Sequence, residues 1–176
     1  MKLRYRFFYC FWIVCAVLAS SSWVQAQQNT FVHDGFYLVT EPGLEQFDIR
    51  PKNTDEKLVQ FDKRFLDTTV VAYTKFIVTT KEYVSLKLKE LPEPVKQPND
   101  RQNVVLPLVE SSGKQLFEFT KQNTGKMLAI IIGGQVVSVY TIKGPINGGV
   151  VQIGRCTKQA TNFLLSALQK DIQQGK

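Results

Sequence analysis

The stretch Ile130–Gly149, IIIGGQVVSVYTIKGPINGG, decides how the chain is read. Glycines beside a hydrophobic run and a lysine suit two architectures, a loop that cradles phosphate and a set of turns between strands. A P-loop needs a glycine five residues before the Gly of a Gly-Lys pair and a Ser or Thr directly after the pair. Gly125-Lys126 has Thr120 and Met127 at those places, and Gly113-Lys114 has Leu108 and Gln115, so both fail. A dinucleotide fingerprint must open a helix, whereas these glycines sit between β-branched runs. The stretch therefore reads as strand, turn, strand, turn. Met127–Ile132 is a buried strand, Gly133-Gly134 a tight hairpin turn and Gln135–Ile142 its partner. Gly144–Gly149 turns the chain again into a strand over 150–153.

Helices flank this unit. Ser111 or Ser112 is placed to cap a helix running to about Asn123, with Leu116, Phe117 and Phe119 on its apolar side and Thr124-Gly125 ending it. Thr157 is placed to cap a second helix that stops near Gly175. Its Ala160, Phe163, Leu164, Ala167, Leu168 and Ile172 repeat as one face of a 3.6-residue period. Before them 104–108 reads as a strand, at an edge because of Pro107. The expected fold is α+β, a mainly antiparallel sheet with two amphipathic helices on one face, preceded by a smaller β-rich segment.

That first segment, 27–91, gives strands at 35–39 (ended by Glu41-Pro42-Gly43), 67–73, 75–80 and 83–89, the last alternating with period two. A short helix is expected within 53–66. Residues 92–103 are proline-rich and read as a linker or long loop, leaving 104–176 as the α+β domain.

The N-terminus carries a different signal. Lys2, Arg4 and Arg6 precede an apolar run of thirteen residues, Phe7–Ala19, followed by serines and Val24-Gln25-Ala26. This is the layout of a secretory signal peptide spanning 1–26, cleaved near Ala26. Thirteen residues are too few to cross a bilayer, which takes about 20, so no stable membrane span is expected after cleavage. The destination is the periplasm or the extracellular space. Cys10 and Cys15 leave with the peptide, and Cys156 alone remains, so an internal disulfide is excluded. Without residues 1–26 the chain carries 19 basic and 15 acidic side chains, and residues 104–176 hold 8 basic against 3 acidic. That mild excess suits an acidic or anionic surface. With no clustered arginine and no recognisable module, it does not suit nucleic acid.

Catalytic constellations are hard to build. The sole histidine, His33, lies near the expected mature N-terminus, which argues against a Ser-His-Asp or Cys-His pair. Cys156, directly before a helix cap, reads as a small buried hydrophobe; a thiol activated by the helix N-terminus and Arg155 is the alternative. Glu110, Glu118 and Asp171 are too scattered for a metal site, and no cofactor is expected. The twelve acids of residues 27–103 leave a glycosidase-type pair open, but no spacing selects two.

Residues 113–168 resemble one family, the head subdomain of the first periplasmic domain of SecD, a subunit of the SecDF protein-export machinery. The pattern residues present are Thr120, Asn123, Gly125, Lys126, Leu128, Ala129 and Ile130, then Gly134, Val136, Ser138, Ile142, Pro145, Ile146, Gly148 and Gly149. Ile153, Thr157, Ala160 and Leu164 continue it. Leu116, Gly133, Val139-Tyr140 and Cys156 depart from it, and the loop before the last helix is one residue shorter. The resemblance implies a non-catalytic exported module that binds polypeptide or an envelope protein, in relation to protein export or envelope assembly. The contact residues expected on this reading are Tyr140, Lys143, Pro145, Ile146 and Asn147. The alternatives are an envelope hydrolase or transferase using carboxylates of 27–103, and a self-associating structural envelope protein.

Overall fold

A computed structural model describes residues 32–65, 73–147 and 149–174. The expected signal peptide, most of the expected strand at 67–73, Gly148 and the stop at Gly175 lie outside the described residues. The architecture is α+β with antiparallel sheets. A five-stranded sheet has the order β2-β3-β1-β6-β7. Its strands are β1 (Gly35–Gly43), β2 (Glu56–Gln60), β3 (Lys75–Ser85), β6 (Met127–Ile132) and β7 (Gln135–Thr141). A three-stranded sheet, β4-β5-β8, is built from Pro94–Lys96, Gln102–Pro107 and Val150–Cys156. The helices are α1 (Glu110–Gln122) and α2 (Lys158–Gln174).

Strand alternation explains the layering. Successive side chains leave a strand on opposite faces, and in β6 both faces are buried. Leu128, Ile130 and Ile132 enter one core cluster, while Ala129 and Ile131 enter the other. That is why Met127–Ile132 reads as an unbroken apolar run. On the first face Phe36 and Leu38 of β1 join Leu116 of α1, Leu164 and Leu168 of α2, and Leu106 and Ile153 of the small sheet. Both helices therefore lie on one face of the large sheet, as their periodicity predicts. Tyr37, Val59, Phe61, Phe76 and Val136 pack on the opposite face.

Several local expectations are corrected. Residues 127–153 do not form a three-stranded unit, because β8 pairs with β5 rather than β7. The 144–149 loop is thus a crossover between sheets. The place beside β6 goes to β1, which aligns Gly35–Leu38 with Leu128–Ile131. Residues 35–43 and 127–132 consequently share one sheet, and residues 31–176 form one compact unit.

Within 53–66 the helix gives way to β2 and a 3-10 turn at Lys63–Phe65, since β2 finds a partner in β3. The strands expected at 75–80 and 83–89 are one strand ending at Ser85, with Leu88 making an isolated bridge to Leu108. β1 runs through Pro42 to Gly43. β6 reaches only to Leu38, so at Pro42 one side of β1 is open and a missing N–H costs nothing there. The same reasoning applies to β5. It is the middle strand of its sheet rather than an edge, but β4 covers only Gln102–Val104, and on that side Pro107 meets Lys89, whose N–H donates to Pro107 O at 2.9 Å, so no strand calls on the missing N–H. The proline-rich 92–103 stretch holds β4 and the first residues of β5.

Helix α1 starts at Glu110 with Val109 as N-cap and no side-chain cap, instead of at Ser111 or Ser112. Tertiary backbone bonds set that start: Leu108 N–H donates to Gly149 O (2.8 Å) and Val109 N–H to Lys87 O (2.9 Å). Ser112 is buried and donates to Ser85 O at 3.2 Å. Thr157 does cap α2, accepting from Ala160 N–H at 3.1 Å. Helix α2 is also tied to the 3-10 turn. The Arg64 guanidinium sits 3.6 Å from the Phe163 ring centroid and donates to the buried carboxylate of Asp62. Such a pairing combines ion-pair and cation–π attraction.

Candidate functional site

The residues that carry the sequence pattern meet at the end of α1. The Thr120 hydroxyl donates to Leu116 O (2.7 Å) and its oxygen accepts from Ile146 N–H (2.9 Å). Asn123 donates to Phe119 O (2.8 Å) and accepts from Lys126 Nζ (2.8 Å). Gly125, at φ 88°, turns the chain so that its N–H reaches Ile142 O (2.8 Å), and Ile142 N–H returns to Lys126 O (2.9 Å). Positive φ is cheap for glycine and costly for other residues. Thr120, Asn123, Gly125 and Lys126 thus form a clasp that fixes the end of β7 and the 144–149 loop against α1.

The far end of the loop is fixed by the Gly149–Leu108 backbone bond and by close approach. A Cβ on Gly113 would lie 3.0 Å from Gly149 Cα, so glycine at 113 lets helix and loop touch. Between α1 and the loop opens a groove of about 700 Å³. Half-buried Phe117 gives it apolar surface, and Lys89, Glu110, Lys114, Glu118 and Asn147 give it charged and polar groups of both signs. Glu110 and Lys114 pair at 2.7 Å on its exposed rim. Its volume falls within the roughly 300–1,000 Å³ of ligand clefts.

The five expected contact residues separate on the structure. Lys143, Pro145 and Asn147 are exposed on the loop, and of the five Asn147 borders the groove. Tyr140 and Ile146 are half-buried and pack against the main core. The Tyr140 hydroxyl is buried without a hydrogen-bond partner, and burial raises its pKa above the ordinary tyrosine value. Sequence reasoning did not find Lys89, Glu110, Lys114 and Glu118 as groove residues. Phe117 was visible as an apolar helix position, but its place on the flank, beside rather than within the Ser112–Leu116–Thr120 buried row, depends on what α1 packs against.

The acids of the first segment are spread. Asp48 pairs with Arg50, Glu41 with Lys52, Glu45 with Lys63 and Asp62 with Arg64. Among the described residues, no acid of 27–103 lines this groove or a second cavity beside the β4–β5 turn. Among the described residues no group of His, Cys, Asp and Glu is arranged to hold a metal ion. Among them, too, no helix is long and apolar enough to cross a membrane.

Cys156 is buried, 2% exposed, and burial pushes its thiol up to about 11. It is the small buried hydrophobe expected, since a thiol held neutral is a poor nucleophile. The folded thiol keeps its proton where an unfolded one, near 9, releases it. Its contribution to stability is therefore intact below about pH 9 and is lost as pH rises toward about 11. Two measurements check this. A thiol reagent at pH 8 should label Cys156 only after denaturation, and Cys156→Ala should flatten the fall in denaturation midpoint between pH 9 and 11.

A family model described as the SecDF P1 head subdomain matches residues 60–171. No curated protein matches the chain. Three solved structures are similar. A SecDF described as a membrane component that enhances protein export is 30% identical over 45% of this chain and 36% of its own, with a TM-score of 0.39. SecDF in a super-membrane-facing form is 29% identical over 43% of this chain and 11% of its own, with a TM-score of 0.38. SecDF from Thermus thermophilus, described as translocon-associated, is 30% identical over 45% of this chain and 11% of its own, with a TM-score of 0.35. The chain spans about a third or less of the length of these SecDF proteins. With well over half of its residues matched by the model, the chain belongs to the SecDF P1 head subdomain family.

Proposed function

We propose that the chain is an exported, non-catalytic module that holds polypeptide in relation to protein export, in the groove between α1 and the 144–149 loop. The observation that carries this reading is the clasp: the pattern residues Thr120, Asn123, Gly125 and Lys126 converge on fixing the loop that forms one groove wall. Apolar surface from Phe117, rimmed by two lysines and two glutamates, suits chains of varied sequence. Hydrophobic contact provides the attraction, while balanced charge selects neither sign. Lys143, Pro145 and Asn147 extend the contact along the loop, with Tyr140 and Ile146 supporting it from the core. Export follows from the n-region and apolar run of residues 1–26, cleaved near Ala26, which places the module in the periplasm or beyond.

Photo-crosslinkers at Asn147 and Phe117, with one at exposed Leu58 on β2 as reference, test the reading in intact cells. Asn147 and Phe117 are expected to capture exported polypeptides in transit and Leu58 is not. Capture at Leu58 with none at the groove positions would overturn the site.

A further inference from the structure

The edge of a sheet exposes unpaired backbone groups that another chain can use, and folded proteins blunt such edges with shortness, charge, proline or cover. Among the described residues the edges of both sheets are blunted except one. β4 is short and holds Pro94 and Lys96, and β2 opens with Glu56-Lys57. The β7 edge is met by the chain at Phe61 and Asp62, where Asp62 N–H donates to Val136 O at 2.9 Å. β8 is the exception. It ends the small sheet, and among the described residues no backbone bond reaches its outer side over Val150–Ile153. That stretch, VVQI, has neither charge nor proline.

The ladder fixes which groups face outward. Along an antiparallel pair, residues alternate between bonding the partner strand with both backbone groups and pointing both away from it. Leu108 N–H donates to Gly149 O, and the next pair in register is Pro107 with Val150. Pro107 has no N–H, and its carbonyl accepts from Lys89 on the far side, so in this pair the backbone groups point apart. The Val105–Gln152 pair, two residues on, repeats that arrangement. The N–H and C=O of Val150 and Gln152 therefore face the open edge. Past Ile153 the flat edge stops. Gln102 aligns with Cys156 and Val104 with Ile153, which leaves a bulge at Gly154-Arg155, and a bulge bends the strand that carries it.

The open edge begins at the groove. Gly149 lines the groove, and Val150 follows it directly. Val151 and Ile153 bury one face of β8 in the main core, so Val150, 49% exposed, lies on the outer face with its cross-strand partner Pro107. We propose that an extended segment of the polypeptide held in the α1 groove continues along β8 as an added strand, pairing with Val150 and Gln152. This inference rests on the groove reading above. Main-chain pairing gives affinity without demanding one sequence, and a β-branched or aromatic residue beside Val150 adds packing on the outer face. A second copy of this chain fits less well. Pairing over Val150–Ile153 alone covers far less than the ~1,200 Å² of a stable protein pair, whereas a polypeptide draws further affinity from the groove.

Amide hydrogen exchange of the full chain provides the test, with an unstructured peptide of alternating valine and threonine, lysine at each end, as the probe. Saturating peptide should slow exchange at Val150 and Gln152 at least about tenfold, since a closed hydrogen bond must open before its proton exchanges. Gln152→Pro removes an outward N–H and no bond to β5, and should weaken the peptide about two- to tenfold, the contribution of one hydrogen bond. The same peptide N-methylated throughout cannot donate to the edge and should leave both amides fast, a comparison that needs no variant to fold. Binding that Phe117→Ala weakens while Val150 and Gln152 exchange as before would overturn this inference and leave the groove reading standing. Binding at neither place would overturn both. Equal protection by the methylated peptide, or protection that grows with protein concentration in the absence of peptide, would also overturn it, the latter by assigning the edge to a second copy.

Discussion

Leu116→Ala is expected to destabilise the protein by about 2–5 kcal/mol, the range for removing a fully buried leucine and leaving a cavity. Leu116 is 1% exposed and is the one large apolar side chain among the three buried residues of α1; the other two are Ser112 and Thr120. The helix carries a glycine at 113 and has no side-chain N-cap, so its own propensity contributes little and docking must hold it. A loss of this size is a large part of the roughly 5–15 kcal/mol that keeps a domain folded. Urea denaturation should show a lower midpoint, and hydrogen exchange should show α1 amides opening first. Phe117→Ala provides the contrast. Phe117 is half-buried on the groove flank, so truncating it should cost far less stability and still abolish crosslinking of polypeptide at Asn147. A Leu116→Ala cost under about 1 kcal/mol would mean that α1 is not docked through this residue.

Thr120→Val should cost about 1–3 kcal/mol although it conserves volume and shape. The valine keeps the packing but cannot accept from Ile146 N–H, and an N–H deprived of its partner in a partly buried place incurs its desolvation penalty. The bond to Leu116 O matters less, because that carbonyl sits within the helix ladder. Hydrogen exchange at Ile146 should accelerate in Thr120→Val, and Thr120→Ser, which restores the hydroxyl, should recover most of the protection. If Thr120→Val leaves Ile146 as protected as before, the clasp is not what fixes the loop. Polypeptide capture at Asn147 should fall together with Ile146 protection, because the loop wall is then free to move.

Much of this fold is legible from local chemistry. The Gly133-Gly134 turn has both residues at positive φ, 61° and 74°, because a two-residue hairpin loop demands that geometry and glycine meets it most cheaply. Thr157 caps α2, and Ala160, Leu164 and Leu168 bury one face of it, because a cap and a 3.6-residue period are properties of the segment itself. The α+β class follows from such segments taken in order. The resemblance of residues 113–168 likewise resides in turns, caps and core positions, each readable in a single chain.

The candidate site was legible only in part. Asn147 and the loop stood out through their glycines and proline, but Lys89, Glu110, Lys114 and Glu118 are ordinary surface residues until three separate pieces of chain come together. The bulge in β8 is similar: nothing near Arg155 announces it, since its left-handed φ arises from the register shift between β5 and β8.

What the sequence determines by itself is therefore the identity of the turns, the cap of α2, the apolar faces and the family pattern. These depend on interactions a few residues apart, whose cost and gain are the same wherever the segment lies. Strand partnership is another matter. The sequence reads β7 and β8 as neighbours, yet β8 crosses to β5 and β1 takes the place beside β6. Each strand of such a set can pair with several others at similar backbone energy, and the choice is made by which arrangement buries both faces of β6 together with Leu116 and Leu164. Only the tertiary structure decided that, and with it where the groove and the clasp that shapes it would lie.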